Sequence, residues 1–432
     1  MHNLFQPRAF AGILTGMAPT RISSPSVVTG FSFAAMFFLG LGVAIVGAAA
    51  RNAGIAAEEV GFLLTAQHLG FFLSVAVAGA LADRVPKPVV LAVGSVVLAA
   101  GFGGFYLWSP FAVNVAFMVL VGIGIGTYEG TTDAFLIDLH PHRKSLFINV
   151  NHFFVTMGSL VITVYLIFLQ MAWRASMTQA AAVVAVLAVL FAVSRPRATG
   201  SPHGHGGAGA ATTAPAASAG STAPAASAAS ASTGVSGLLR SPVMWALLVG
   251  TICSVGIELG SIGLLTTYLM ELRGFTQVTS KVGLLLFIGG FGIGRLALGS
   301  LIRDESAERW VTGYFGASVV TTLLLYALEP TWLLYGFSLL AGLSVSVLLP
   351  SIIAIGGTRF PDQAGTAIGI VKMGIPVGGM LLPLLVSLFT RAASLQTALL
   401  AFPAAAVLGA AAMLVISRHA HPGMGSSAQL VE

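Results

Sequence analysis

Charge is what this chain has least of. Only 8% of its 432 residues are Asp, Glu, Lys or Arg, against about 25% in a soluble domain. A water-soluble fold of this size cannot cover its surface with so few charges, so that class is excluded. Cysteine is nearly missing too. Cys253 stands alone inside an apolar run, which excludes an internal disulfide, and no CxxC or His/Cys cluster offers a metal its ligands. There is no Walker sequence, so ATP is not the energy source, and "VGIGIG" lies within an apolar run with no strand before it. The alternating segments of about ten residues that mark a membrane β-barrel are absent. The first residues carry no long apolar core followed by a cleavage site and read as a retained cytoplasmic lead.

What is present is grease in long runs. Hydrophobic residues make up 56% of the chain and the mean hydropathy is +0.93. Twelve apolar segments stand out, at 28–50, 57–82, 88–108, 111–138, 146–170 and 174–194, then at 242–270, 277–302, 309–327, 331–357, 364–390 and 395–417. At a rise of about 1.5 Å per residue each crosses about 30 Å as a helix. The expected fold is an all-α polytopic membrane protein of twelve helices in two six-helix halves. Its parts are a cytoplasmic lead (1–27), an N-terminal bundle (28–194), a linker (195–240), a C-terminal bundle (241–417) and a cytoplasmic tail (418–432). The linker repeats TAPAASA at 213–219 and 222–228. Such Ala/Ser/Pro composition cannot bury a core and predicts disorder. His203 and His205 within it read as low complexity rather than as metal ligands.

The net charge of +6 does not point to nucleic acid, because the basic residues sit singly at the ends of apolar runs. With the N-terminus inside, thirteen Lys and Arg fall on the cytoplasmic side and five outside. That bias places both termini and the linker in the cytoplasm, and the expected location is the cytoplasmic (inner) membrane. The remaining two of the twenty, Arg295 and Lys372, lie inside predicted helices. The halves also repeat. Gly79-Ala-Leu-Ala-Asp83-Arg84 follows the second segment, and Gly299-Ser-Leu-Ile-Arg303-Asp304 follows the eighth. Parallel six-helix repeats suggest a transporter whose site lies where the repeats meet.

"GALADRVPKP" resembles the loop 2–3 signature of the major facilitator superfamily, Gly-x-Leu-x-Asp-Arg-x-Gly-Arg-Lys. Gly79, Leu81, Asp83 and Arg84 match, and Pro86 replaces the second glycine. The resemblance covers nearly the whole chain. It implies the twelve-helix fold, action as a monomer, and a gating role for Gly79, Asp83, Arg84 and their counterparts Gly299, Arg303 and Asp304. Within the superfamily, three stretches are similar to the fucose permease-like sugar:proton symporters. "EGTTDAFLIDLHP" matches at Glu129 and Phe135, with Asp133 and Ala134 in place of Asn and Pro. "FINVNHFFVTMG" matches at Asn149, His152 and Gly158, and "VGIELGSIG" at Gly256 and Glu258. The first helix has no carboxylate, so a coupling scheme that uses one there does not transfer. The fifth helix lacks the Gly-Pro motif common in drug:proton antiporters.

A charge at the bilayer centre costs at least a few kcal/mol, about 2.5–3.5 by insertion scales, and so should face a cavity or a partner. Glu129 lies about nine residues, or about 13 Å, from the end of its helix. Burial disfavours its ionised form, which suits it to carry a proton, with Glu258 second. Asp133, one turn nearer the cytoplasm, reads as substrate contact, gate or partner. Asn149, His152, Arg295 and Lys372 are the other candidate substrate contacts, with Asn149 preferred over Asn151. His152 and Arg295 are expected near each other, either holding a carboxylate or neutralising Glu129, Asp133 and Glu258. His68, beside Gln67, reads as a hydrogen-bonded core residue.

The sequence therefore predicts a secondary transporter taking up a small polar, sugar-like solute with protons. It has no cofactor and no metal, is not an enzyme, and its partners are the solute, protons and the lipid bilayer. The alternatives are an organic-anion carrier or exporter and, behind it, a drug efflux antiporter or a sensor that binds without turnover.

Overall fold

The computed structural model describes residues 24–82, 84–140, 143–168, 173–194, 236–298 and 306–418. Twelve helices there are long and apolar enough to cross a membrane. They are α1 Pro25–Ala49, α2 Ala57–Ala82, α3 Lys87–Gly104, α4 Phe111–Leu139, α5 Lys144–Phe168 and α6 Trp173–Val193. Then come α7 Pro242–Arg273, α8 Gln277–Ala297 and α9 Ala307–Ala327. Each of the last three has two pieces: α10 Thr331–Val345 and Leu348–Arg359, α11 Ala364–Lys372 and Gly374–Ala392, α12 Leu395–Ala398 and Ala401–Arg418. Twelve crossings bring the start of α1, the two ends flanking the linker and the end of α12 to one face, called the linker face below. Of the sequence expectations, the lead (1–23), most of the linker (195–235), the tail (419–432), Asp83, Gly299, Arg303 and Asp304 lie outside the described residues.

Prolines start several of these helices. Pro25 and Pro242 occupy the first turns of α1 and α7, where their fixed φ suits the helix and the missing N–H would be unpaired anyway. A Thr276/Thr279 capping box opens α8, satisfying two end donors reciprocally. Gly274, at φ +68°, closes α7, a left-handed turn that glycine makes without a Cβ penalty.

The packing repeats with a period of six helices. In the N-terminal half α1 packs on α5, α2 on α4 and α3 on α6; in the C-terminal half α7 packs on α11, α8 on α10 and α9 on α12. Glycines at equivalent places bring the paired backbones together. A β-carbon at Gly122 of α4 would overlap the Gln67 carbonyl of α2, and one at Gly342 of α10 would overlap the Phe287 carbonyl of α8. Gly79 is not such a contact: a β-carbon there would sit an ordinary 3.7 Å from the Gly130 oxygen. The close approach of α2 and α4 comes from the "VGIGIG" run instead.

An ion pair repeats with its signs exchanged. Lys87 at the start of α3 meets Asp138 near the end of α4 at 2.7 Å. Glu308 near the start of α9 meets Arg359 at the end of α10 at 2.6 Å. Arg359 is buried and also donates to the Ile416 carbonyl of α12.

The halves meet through α1–α7, α2–α7, α2–α11 and α5–α8. The polar bonds that join them gather at the face opposite the linker. Arg51 pairs with Glu271 at 2.6 Å, and Lys281 donates to Asn52 at 2.8 Å. Thr266 donates to the Gly47 carbonyl. The Gly61 N–H donates to Ser387 at 2.9 Å, and Thr65 donates to the Met380 carbonyl at 3.1 Å. The guanidinium of Arg391 lies 4.4 Å from the centroid of the Phe62 ring. His68 follows its expectation as a core residue: it is buried, with Nδ1 2.8 Å from the Leu64 carbonyl oxygen, and its ring fills the space over Gly379. The opposite face is therefore closed.

Candidate functional site

Two acid–base clusters occupy the apolar bundle, one based in each half. The first answers why α4 carries Glu129 and Asp133 in a greasy segment. Asp133 points at α5, where its Oδ2 lies 2.9 Å from His152 Nε2. Its Oδ1 accepts from Asn151 Nδ2, also at 2.9 Å. Asn151 Nδ2 lies 3.1 Å from Thr132 Oγ1 as well, and the Asn151 Oδ1 is buried without a partner among the described residues. Asp133 and His152 are each only partly covered, their side chains 23% and 34% exposed. Lys372 of α11 acts electrostatically on both, and Glu129 acts on His152. Lys372 is exposed and enters no ion pair among the described residues. Thus α4 and α5 of one half pair their polar side chains within electrostatic reach of Lys372 on α11 of the other.

Charges this deep need partners, and the geometry supplies them. An unpaired carboxylate in hydrocarbon is costly; Asp133 instead has an imidazole and an amide on its two oxygens. Helical periodicity explains the set, because Glu129 and Asp133 are one turn apart on α4 and share a face.

The second cluster lies in the C-terminal half. Glu258, at the middle of α7, is 4.0 Å from Arg295 of α8. The Arg295 guanidinium carbon lies 4.3 Å from the Phe291 ring centroid, and its Nε is 3.4 Å from the Ser346 carbonyl oxygen. Ser346 sits in the break between the two pieces of α10, where freed backbone acceptors are expected. Arg295 is two residues from the end of α8 at Ala297 rather than the seven expected; the predicted extension to 302 runs into 299–305, outside the described residues.

The structure thus brings Glu129, Asp133, His152 and Lys372 together, and separately pairs Glu258 with Arg295. His152 and Arg295 each find a carboxylate within their own half. The Asn149 side chain lies outside what is described, and it is the neighbouring Asn151 that holds Asp133. Arg84 is exposed at the linker face, with its N–H bonded to the Leu81 carbonyl. The break in α11 falls at Met373, three residues before Pro376. Pro376 therefore stands in the first turn of the second piece, where it interrupts no bond of the helix.

Comparison with known proteins agrees with this architecture. The sequence model of the Major Facilitator Superfamily matches residues 26–328. The crystal structure of a bacterial homologue of the human lysosomal transporter Spinster, inward-facing and unoccupied, superposes with a TM-score of 0.74 at 13% identity, over 91% of this chain and 97% of that one. The nucleoside transporter NupG superposes with a TM-score of 0.70 at 12% identity, over 92% of this chain and 99% of that one. Among curated protein sequences none matches. The family match spans more than half of the chain, and the twelve helices repeat in two sixes around a divided polar centre: the protein is a multi-pass membrane protein belonging to the Major Facilitator Superfamily.

Proposed function

We propose that the protein is a secondary active transporter that takes up a small polar solute with protons by alternating access. It is not an enzyme, and it works as a monomer in the cytoplasmic (inner) membrane with the linker face inside, as the Lys and Arg bias supports. The carrying observation is the Asp133–His152 pair at 2.9 Å, partly exposed, with Lys372 of the other half acting on it. A carboxylate bonded to an imidazole can hold or release a proton without leaving a bare charge in the bundle. Lys372 stabilises the ionised Asp133 when the halves bring it near and less when they part, so proton occupancy and the arrangement of the halves become linked. Glu129, beside the same pair, is the proton's relay, and Glu258 with Arg295 is the second acid site.

The favoured solute is sugar-like. Asp133, Asn151 and His152 present the carboxylate, amide and imidazole that hydroxyl groups hydrogen-bond well. One specific observation favours the second reading, an organic anion: the Lys372 ammonium is exposed and enters no ion pair among the described residues. Purified protein in liposomes holding a pH-sensitive dye tests both. Internal acidification with sugars supports the first and with small carboxylates alone the second. No acidification with either removes proton coupling.

A further inference from the structure

The closed face holds a charge that the transport reading leaves unused. Lys281, four residues into α8, is 2% exposed, among the most buried large side chains of the protein. Its Nζ donates to Asn52 Oδ1 at 2.8 Å, across the seam, and to the Gln277 carbonyl of its own helix at 3.3 Å. Both acceptors are neutral. No ion pair among the described residues includes Lys281, and the acid at hand in this seam, Glu271, is engaged by Arg51 at 2.6 Å.

We propose that Lys281 sets the balance of the transport cycle: its ammonium, buried without a carboxylate when the face opposite the linker is closed, pushes that face towards opening.

Burying an ammonium costs hydration that neutral acceptors return only in part. When the halves part at this face, Asn52 leaves with the N-terminal half and Lys281 Nζ meets water. The cost is thus carried by the closed state alone. Only an interaction that differs between two states moves the equilibrium between them, and this one differs strongly. Around Lys281, the small-residue approach of α1 to α7 at Gly47 and the Arg51–Glu271 pair favour closure. The buried ammonium opposes them, so the closed face is poised rather than locked. The residue would escape notice in sequence, where a lysine near a helix end reads as a topology marker.

The proposal rests on the alternating-access reading, and its sign separates it from the obvious alternative. If Lys281 were a latch, held for its bond to Asn52, removing it would open the face. If it is a buried cost, removing it closes the face further. Lys281→Met keeps the length of the stem and deletes the charge. Asn52→Asp keeps the ammonium and gives it a carboxylate at the same position. The proposal predicts the same result from both.

The test uses the full chain with spin labels at Leu107→Cys and Trp332→Cys, in a Cys253→Ala background, reconstituted in lipid. Both labelled positions are exposed on the face opposite the linker, one in each half. The interspin distance distribution of the otherwise unchanged protein is expected to show a short and a long population. Lys281→Met and Asn52→Asp should each lower the long population by about fivefold or more. A rise in the long population, or no change in either variant while two populations persist, overturns the proposal and leaves alternating access standing. A single distance in the unchanged protein at every pH and with every solute removes alternating access, and the proposal with it.

Discussion

Asp133 of α4 faces His152 of α5 with Oδ2 and Nε2 2.9 Å apart, and the preceding residue of α5, Asn151, donates to the other carboxylate oxygen.

Removing the acid should uncouple the proton. In Asp133→Asn the His152 ring loses its anion, and proton-driven accumulation should fall by about tenfold or more, the size of a lost charged hydrogen bond. Solute exchange down its own gradient should survive better than accumulation. Radiolabelled uptake with and without a pH gradient measures both.

His152→Gln keeps a polar side chain of similar reach but cannot titrate. Uptake by this variant should lose the part of its pH dependence that a titrating imidazole supplies. A pH profile that matches the parent's would shift the role to Glu129 or Glu258.

Closure of the opposite face depends on bare backbone at Gly47. A β-carbon there would overlap the Ile262 carbonyl oxygen, and overpacking of that kind costs about 1–3 kcal/mol. Gly47→Val should therefore hold this face open. Uptake should fall while folding persists, read as monodisperse elution in detergent together with raised accessibility of a cysteine placed at Ser387.

Breaking the buried pair in the C-terminal half should damage stability rather than transport chemistry. Glu308→Gln leaves Arg359, whose side chain is 5% exposed, without its carboxylate. The expected loss is about 3 kcal/mol, seen as a lower Tm in detergent. The equivalent Asp138→Asn should cost far less, because Asp138 is 52% exposed and such pairs contribute about 0–1 kcal/mol.

At the linker face the His140 ring stacks on Phe147 and bonds Thr29 at 2.6 Å. Burial lowers its pKa below the ordinary value. The unfolded chain then binds more protons than the folded one between the two values, so stability rises with pH there. The contribution is complete above about pH 6.5 and is lost as pH falls towards the folded-state value. Hydrogen exchange at the ends of α1 and α4 should quicken on acidification, and His140→Phe, which keeps the stack, should abolish the pH effect.

The twelve helices were legible because hydrophobic runs and membrane thickness leave little choice. The paired carboxylates of α4 were legible for the same reason: Glu129 and Asp133 have no place in an apolar run unless something faces them. What α5 turns towards them was not legible. Asn149 and Asn151 differ by two positions, about 200° of helix, and only the packing of α1 on α5 decides which one reaches Asp133. The pairing of Arg295 with Glu258 was hidden likewise, since it depends on the end of α8 and the break in α10. Lys281 was hidden by its position at a helix end, where exposure is the usual state.

The most direct test remains proton movement. Liposomes containing the protein and a pH-sensitive dye are given sugars and small carboxylates one at a time, with Asp133→Asn alongside. Internal acidification is expected with one class of solute, and is expected to be absent in the variant. Equal acidification by the variant, or none by either protein across the panel, would contradict it.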